Sequence, residues 1–227
     1  MSGLSTAGTA TDILGCVSHY FDARPGRESR QRTIRVSLRG TQVEVLTDRN
    51  VFSADRLDLG TAVLLRTVAD PPSTGTLVDL GCGWGPIALA MALAAPKARV
   101  LALDVNERAL HLTAANAKRL GLGNVETWNP QDLLAAEPDL AISELWSNPP
   151  IRVGKSVLHE LLGAWLPRLE EGASARLVVQ KNLGADSLHR WLETELGMPT
   201  RRSASSKGFR VLTVQNVAPP ADEVPAP

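Results

Sequence analysis

A short strand, a glycine turn and a helix start follow one another near residue 80, and they constrain the fold more than any other feature. Thr76–Leu80 is an apolar run typical of a buried strand. Three glycines at alternate positions then require a tight turn. Pro86 suits the first turn of a helix, where its missing N–H needs no partner, and the Ala/Leu-rich residues 87–95 predict that helix. This order of elements is typical of a nucleotide-cofactor site in a doubly wound α/β sheet.

The residues of this turn favour S-adenosyl-L-methionine (SAM) over a dinucleotide. A dinucleotide fingerprint needs a glycine where Pro86 stands. The carboxylate of Asp79 would repel a diphosphate, but it suits the ammonium and sulfonium charges of SAM. A glycine turn without a ligand is the alternative. The predicted cofactor contacts in the turn are Asp79, Gly81, Cys82, Gly83 and Gly85. Residues 79–85 resemble the first motif of the class I SAM-dependent methyltransferases.

Strands and helices alternate from residue 76 onward, which predicts a doubly wound sheet. We expect further strands at 99–103, 125–128, 142–146, 175–180, 198–203 and 209–215, and helices at 107–120, 157–169 and 186–195. The methyltransferase resemblance implies a Rossmann-like, seven-stranded α/β fold with strand order 3-2-1-4-5-7-6 and strand seven antiparallel.

A β-hairpin and a helix are predicted ahead of this sheet. Apolar residues alternate with polar ones at 34–38 and 43–45, and Arg39-Gly40 between them is a turn signal. The helix that follows ends before Pro71-Pro72. The expected organisation is a disordered N-terminus (1–12), a hairpin and helix extension (13–70), a SAM-binding catalytic domain (71–217) and a disordered tail (218–227).

Composition excludes several classes of protein. The formal net charge is zero, so the whole molecule is not an evident polyanion binder. Cys16 and Cys82 are too far apart to suggest a disulfide framework or a metal site. No run approaches the ~18 apolar residues of a membrane span, and the N-terminus has no signal-peptide pattern. We therefore expect a cytoplasmic protein without membrane or metal.

Two further acidic residues are candidates for the nucleoside part of the cofactor. Asp104 ends the second strand of the sheet, followed by Val105, and a carboxylate there can accept both ribose hydroxyls. It can also cap the next helix, and the two roles are compatible. The resemblance implies an acidic residue after the third strand that reaches the adenine amino group. Asp132 is the candidate, with Asn129 as a competitor.

The catalytic candidates follow the fourth strand of the sheet, where ligands bind in this architecture. Asn148 offers a side-chain carbonyl, and the backbone carbonyl of Pro149 is expected to point freely. Two acceptors can hold both hydrogens of a planar NH2 group and turn its lone pair toward a sulfonium methyl group. Such positioning can contribute ~7–11 kcal/mol. Pro150 fixes the backbone.

The segment resembles the fourth motif of the amino methyltransferases, and it departs from that motif at one position. Many relatives carry Tyr or Phe where this chain has Ile151, which supplies only an apolar wall. The residues predicted to carry catalysis are Asn148, Pro149, Pro150 and Ile151, and Asn148 is also expected to contact the cofactor.

Further segments sharpen the resemblance. Residues 51–53, 58–61, 148–155 and 206–212 resemble the small-domain methyltransferases that make N2-methylguanine in 16S ribosomal RNA, in particular the short single-domain members. This implies a guanine amine of small-subunit ribosomal RNA as target, with that RNA or a small-subunit assembly intermediate as partner. The alternatives are a protein glutamine N5-methyltransferase and a non-catalytic SAM-fold module that binds RNA or a partner.

Clustered cations are the candidates for phosphate contacts. Arginines are dense between residues 24 and 39, and the hairpin there has one apolar and one basic face. That face is either simply solvated or directed at RNA. The predicted RNA contacts are Arg32, Arg35, Arg39, Lys155, Lys181, Lys207 and Arg210.

Overall fold

The structure, a computed structural model, describes residues 31–49 and 51–217, with only the backbone of Arg152. The predicted disordered termini 1–12 and 218–227 and the arginines at 24, 27 and 30 lie outside the described residues. Within the described ranges, no helix is both long enough and apolar enough to cross a lipid bilayer.

The described residues form strands and helices in the predicted alternation. The strands are β1 (Gln31–Leu38), β2 (Thr41–Asp48), β3 (Thr76–Leu80), β4 (Arg99–Leu103), β5 (Val125–Trp128), β6 (Ile142–Ser147), β7 (Leu169–Gln180), β8 (Thr200–Ser206) and β9 (Phe209–Gln215). The helices are α1 (Leu59–Thr67), α2 (Pro86–Ala94), α3 (Glu107–Arg119), α4 (Pro130–Ala136), α5 (Lys155–Trp165) and α6 (Ala185–Thr194).

The main sheet has seven strands in the order β5-β4-β3-β6-β7-β9-β8. Strand β9 runs antiparallel to both of its neighbours, and the other adjacent pairs are parallel. The predicted fold class and strand order are therefore confirmed. The order reverses between β3 and β6, and the carboxyl ends of these two strands flank the crevice where a doubly wound sheet binds its ligands.

Several element boundaries differ from the expectation for identifiable reasons. Strand β7 begins at Leu169, which pairs with Ile142 of β6. No apolar run marks this part of the strand because residues 170–172 are exposed. Helix α5 ends at Trp165, and Pro167 lies in the 3₁₀ turn that follows. Helix α4 was not predicted from the sequence. It is short, with Asn129 as its N-cap and Pro130 in its first turn.

The predicted hairpin is confirmed, and it packs into the core of the molecule. Its inward residues are buried in one apolar cluster with residues of α1, α2 and α3, on one face of the main sheet. The amide of Asn116 on α3 exchanges hydrogen bonds with the backbone N–H and C=O of Leu46, at 2.6 and 2.9 Å. The segments expected as an extension and as a catalytic domain thus share one apolar core.

Candidate active site

A cavity of about 590 Å³ lies at the carboxyl ends of the central strands. Its wall includes the residues that end β3 and β4, the loop after β6, and Gln180 at the end of β7. Upstream residues Val51, Phe52 and Asp58 complete the wall. We call it the active-site cavity. Of the predicted site residues, it is lined by Gly81, Gly83, Asp104, Val105, Asn148, Pro149, Pro150 and Ile151.

Two glycines of the turn serve different purposes. A Cβ on Gly83 would find open space, since the nearest atom is Val51 Cγ1 at 3.9 Å. A Cβ on Gly85 would lie 2.8 Å from Thr113 Oγ1 of helix α3. Both residues have positive φ angles, 58° and 92°, which glycine adopts without a steric penalty. Gly83 therefore lets the backbone border the cavity, whereas Gly85 lets α2 and α3 approach each other.

Asp104 supports the turn and lines the cavity at once. One carboxylate oxygen accepts from the Gly83 N–H and the other from the Asn106 N–H, both at 2.9 Å. Burial raises the pKa of Asp104, and these backbone donors act in the opposite direction. The N-cap of α3 is Asn106, which accepts from Arg108 N. Asp104 thus braces the chain just before the helix and also lines the active-site cavity.

Asp79 does not line the active-site cavity. It is fully buried, and its Oδ2 accepts from the Ala88 N–H at 2.9 Å, in the first turn of α2. Its Oδ1 has no hydrogen-bond partner among the described residues. Burial raises the pKa of Asp79 to about 8, so its carboxyl is mainly neutral at pH 7. The expected direct charge contact with SAM does not match this placement.

Three other predicted cofactor contacts also lie off the wall of the active-site cavity. Gly85 packs between helices, as described above. Cys82 is buried and borders only a small adjoining cavity, and burial raises the pKa of its thiol. Asp132 is exposed in the first turn of α4, while Pro130 of the same helix reaches the cavity. The adenine contact of Asp132 stays a prediction.

The side-chain amide of Asn148 has a fixed orientation. Its nitrogen donates to Asp58 Oδ2 at 2.8 Å and to Thr61 Oγ1 at 3.1 Å. Asp58 Oδ2 also accepts from Thr61 N and so acts as an acceptor, which means that the amide nitrogen and not the oxygen faces it. The carbonyl oxygen Oδ1 remains as an acceptor for a ligand in the cavity that Asn148 lines.

The backbone carbonyl of Pro149 is not free, contrary to the expectation. It accepts from the Ile151 N–H at 2.8 Å, which closes an inverse γ-turn with φ −75° and ψ 74° at Pro150. A carbonyl oxygen has two lone pairs, so Pro149 keeps one for a ligand. The turn also sets Ile151 at the cavity wall, half-buried.

Asp58 and Thr61 are functional candidates that sequence reasoning assigned no role. Asp58 is the N-cap of α1, where its Oδ2 accepts from Thr61 N at 3.0 Å. The sequence signals were the family resemblance of residues 58–61 and an Asp before a helical segment, which is typical of an N-cap. Nothing in the sequence indicated that the same oxygen would contact a residue 90 positions away.

The arginines of the hairpin are engaged in ion pairs and structural contacts. Arg39 donates to the backbone carbonyls of Leu65 and Val68 and to Asp70, at 2.6–3.0 Å, and its side chain is 19% exposed. Arg35 pairs with Glu44 on the neighbouring strand. These contacts tie the guanidinium of Arg39 to the C-terminal end of α1, so it does not have the solvent-facing position expected of it.

Arg32 has an ion pair as well, with Asp55. Arg210 is 7% exposed and pairs with Asp186 of α6, so it also differs from the expected surface position.

Three predicted cations do lie exposed around the cavity. Lys155 begins α5, shortly after the residues 148–151 that line the cavity. Lys181 follows Gln180, another wall residue, and its N–H donates to the Gly208 carbonyl at 2.8 Å. That bond brings the β8–β9 turn, with Lys207, beside it. RNA contact by these lysines stays a prediction.

The model of the family described as "Methyltransferase small domain" matches residues 42–213, most of the chain. The chain belongs to this methyltransferase family. The predicted class, a SAM-dependent methyltransferase, and its cofactor are thereby confirmed. The match begins within β2 and ends within β9, so it includes Val51, Phe52 and Asp58, the upstream residues that line the cavity.

Curated relatives include one of nearly the same length and several longer ones. The chain is 30% identical over 199 residues to the uncharacterized protein YbxB of Bacillus subtilis (strain 168), covering 88% of this chain and 98% of that protein. It is 31% identical over 197 residues to ribosomal RNA small subunit methyltransferase C of Ectopseudomonas mendocina (strain ymp), covering 85% of this chain and 57% of that protein. The chain spans little more than half the length of these rRNA methyltransferase relatives.

A solved structure shares the fold. It is the 16S rRNA N2 G1207 methyltransferase RsmC of T. thermophilus, in complex with AdoMet and guanosine. The TM-score is 0.72 at 19% identity, and the match covers 85% of this chain and 52% of that one. At this identity the likeness concerns the fold alone.

Proposed function

We propose that the chain transfers a methyl group from SAM to the exocyclic N2 amine of a guanine in small-subunit ribosomal RNA. The observation that carries this proposal is the fixed amide of Asn148, whose nitrogen is held by Asp58 and Thr61 and whose oxygen is left as an acceptor at the cavity. The longer relatives, which are ribosomal RNA small subunit methyltransferases, supply the substrate class.

The residues on one side of the cavity fit the cofactor. The open space at Gly83 admits a ligand against the backbone, and Asp104 offers carboxylate lone pairs toward ribose hydroxyls. Val105 and Pro130 supply apolar surface nearby. When bound, SAM supplies an electrophilic methyl group on a sulfonium.

The residues on the other side fit a planar amine. Asn148 Oδ1 accepts one N–H of the amine, and the remaining lone pair of the Pro149 carbonyl can accept the other. Holding both hydrogens in one plane turns the nitrogen lone pair out of that plane, toward the donor side of the cavity. Because the chain supplies mainly position, the rate advantage is of the proximity kind, ~7–11 kcal/mol at most.

The exposed lysines provide the contact with RNA in this proposal. Lys155, Lys181 and Lys207 lie around the cavity, where they can meet phosphates and so position an RNA without specifying its sequence. The N2 amine of a paired guanine is engaged by cytosine, so the target must be unpaired or flipped out of its helix. We therefore expect activity on ribosomal RNA or an assembly intermediate and little on free guanosine.

Nucleoside analysis of ribosomal RNA tests the proposal. Mass spectrometry of 16S rRNA from a strain lacking this gene should show the loss of one N2-methylguanosine. The wild-type chain should restore it, and the Asn148→Ala variant should not. Unchanged nucleosides in the deletion strain would contradict the proposal. Methylation of a glutamine amide by the purified chain, with ribosomal RNA left unmodified, would establish the protein-methylating alternative instead.

A further inference from the structure

We propose that the ring of Phe52 stacks on the target base, in place of the aromatic residue that this chain lacks at position 151. The inference rests on the proposed function, since it concerns how the same cavity holds its RNA substrate. It assigns a specificity role to a residue outside the Asn148–Ile151 segment.

The first observation is the exposure of the ring. Phe52 is 65% exposed, and among the Phe, Trp and Tyr side chains of residues 31–49 and 51–217 it is the one that is exposed. Other tryptophans and phenylalanines in these ranges are buried or half-buried. Single exposed apolar residues are common on proteins, so the exposure alone would carry little.

The second observation is the position of the ring. Phe52 lines the active-site cavity together with Asn148 and Ile151. It also borders the small adjoining cavity with Asp58 and Asn148. The exposed ring thus belongs to the same wall as the amide that accepts the amine.

The third observation is that the backbone around Phe52 is held in place. The preceding Val51 is buried, and its N–H donates to the Asp48 carbonyl at 3.0 Å. The following Ser53 accepts from the indole N–H of Trp84 at 3.3 Å and has a positive φ of 56°. A non-glycine residue at positive φ is strained and persists only where the surroundings enforce it.

Further along the same loop, the Ala54 carbonyl accepts from Thr47 Oγ1 at 2.6 Å. Anchors on both sides of Phe52 therefore present its ring at the cavity rather than burying it.

The chemistry of the cavity indicates what the ring contacts. Asn148 leaves an acceptor for a planar amine, and Ile151 offers an apolar wall without π-stacking. A nucleobase extracted from its helix loses stacking with its neighbours, and an aromatic side chain restores it for any base. The exposed lysines favour a polyanion outside the cavity. A flipped purine with its amine at Asn148 and its face on Phe52 satisfies all these groups.

Substitutions at position 52 separate stacking from simple apolar contact. Phe52→Leu keeps the apolar surface but removes the ring, Phe52→Tyr keeps the ring, and Val217→Ala is a control at an exposed apolar residue away from the cavity. The readouts are KM for 16S rRNA, single-turnover rate at saturating RNA, and affinity for S-adenosylhomocysteine by calorimetry.

We expect Phe52→Leu to raise KM for the RNA about tenfold or more, the effect of losing one stacked base. Phe52→Tyr and Val217→Ala should stay near wild type, and all variants should bind S-adenosylhomocysteine as wild type does. A KM in Phe52→Leu equal to that of wild type overturns the inference alone. An equal loss of S-adenosylhomocysteine affinity also overturns it, because the ring would then cover the cofactor. A wild-type chain that methylates no ribosomal RNA overturns the proposed function, and this inference with it.

Discussion

The side-chain nitrogen of Asn148 lies 2.8 Å from Asp58 Oδ2, across 90 positions of sequence. The same oxygen accepts from Thr61 N and so caps helix α1. One carboxylate therefore has two tasks, to cap the start of helix α1 and to orient an amide that faces the active-site cavity. The two tasks can be separated by substitution, because they require different reach from the side chain.

Asp58→Ser should keep the N-cap of helix α1 but lose the hydrogen bond that orients the side-chain amide of Asn148. Serine is about as good an N-cap as aspartate, but its hydroxyl is one bond too short to reach Asn148. We expect the free energy of unfolding to stay within about 0.5 kcal/mol of wild type, and kcat to fall about tenfold to a hundredfold. Urea denaturation and single-turnover kinetics measure the two effects.

Asp58→Ala is the matched control for this experiment. It removes the cap as well, so it should lower the free energy of unfolding by about 1 kcal/mol and reduce kcat to a similar extent. If Asp58→Ser turned over RNA at the wild-type rate, Asp58 would be only a helix cap.

Asn148→Ala should abolish positioning of the amine without disturbing the cofactor side of the cavity. We expect turnover to fall a hundredfold or more, about what a misplaced reacting group costs, with affinity for S-adenosylhomocysteine retained. Asn148→Asp should be at least as harmful, since it sets a second carboxylate against Asp58. Single-turnover rates near wild type in Asn148→Ala would make Asn148 a turn residue only.

The same substitution at two glycines, both at positive φ, should act mainly on ligand binding at Gly83 and mainly on stability at Gly85. Gly83→Ala adds a methyl group that faces the cavity, so it should weaken S-adenosylhomocysteine binding, and the bulkier Gly83→Val should remove it. Gly85→Ala sets a methyl group against Thr113 and should cost about 2–4 kcal/mol of stability. Calorimetry and thermal unfolding distinguish them. If Gly83→Val bound S-adenosylhomocysteine as tightly as wild type, the cofactor would not bind against this turn.

Asp79→Asn should change how stability depends on pH. Folded Asp79 keeps its proton up to about pH 8, whereas an unfolded aspartate loses it near pH 4. Between these values the folded state binds more protons, so this group makes the wild type less stable as pH rises. Asparagine does not titrate.

The free energy of unfolding of Asp79→Asn relative to wild type should therefore increase from pH 5 to pH 8, by at most about 1.4 kcal/mol per pH unit. Urea denaturation at several pH values measures it. Parallel pH profiles for the two proteins would mean that Asp79 is ionised when folded.

The exposed lysines should govern the salt dependence of RNA binding. Replacing Lys181 and Lys207 together with alanine should make the plot of log RNA affinity against log salt less steep. Its slope should change by ~0.7–0.9 for each phosphate that these lysines neutralise. Lys97→Ala is the control. Lys97 is exposed in the turn before β4, at the amino ends of the strands, whereas the cavity lies at their carboxyl ends. Filter binding over a range of salt concentrations measures the slopes. Identical slopes for the double variant and wild type would show that RNA docks on another surface of the protein.

Most of the fold followed from the sequence, and so did the segments that meet at the active-site cavity. Local signals sufficed for the strand, glycine turn and helix start at 76–95, and the Asn-Pro-Pro segment lies where the alternation of elements placed it. The order of the strands came from family resemblance, because hydrophobic periodicity carries no information on which strands become neighbours. The short α4 was missed because seven residues give no clear helical period.

The differences between the expected and the observed site come from tertiary contacts, burial and local backbone angles. The positive charge of Arg39 suggested a solvated or RNA-facing residue, but its guanidinium is used by carbonyls at the end of α1. Asp79 was assigned to the cofactor from its charge, but burial leaves it mainly neutral. The Pro149 carbonyl was expected to be free, but a γ-turn occupies one of its lone pairs. That turn depends on the ψ angle of Pro150, which the sequence does not fix. Such features arise only in the folded structure and leave no local pattern in the sequence.

The hydrogen bond between Asn148 and Asp58 limits how far the loop at 147–151 can be transplanted. A designer who grafts the Asn-Pro-Pro segment onto another methyltransferase scaffold moves the amide without the upstream groups that orient it. The recipient would need its own carboxylate and hydroxyl at the positions of Asp58 and Thr61. A portable unit of this chemistry therefore consists of two segments, the helix cap at 58–61 and the loop at 147–151, carried together.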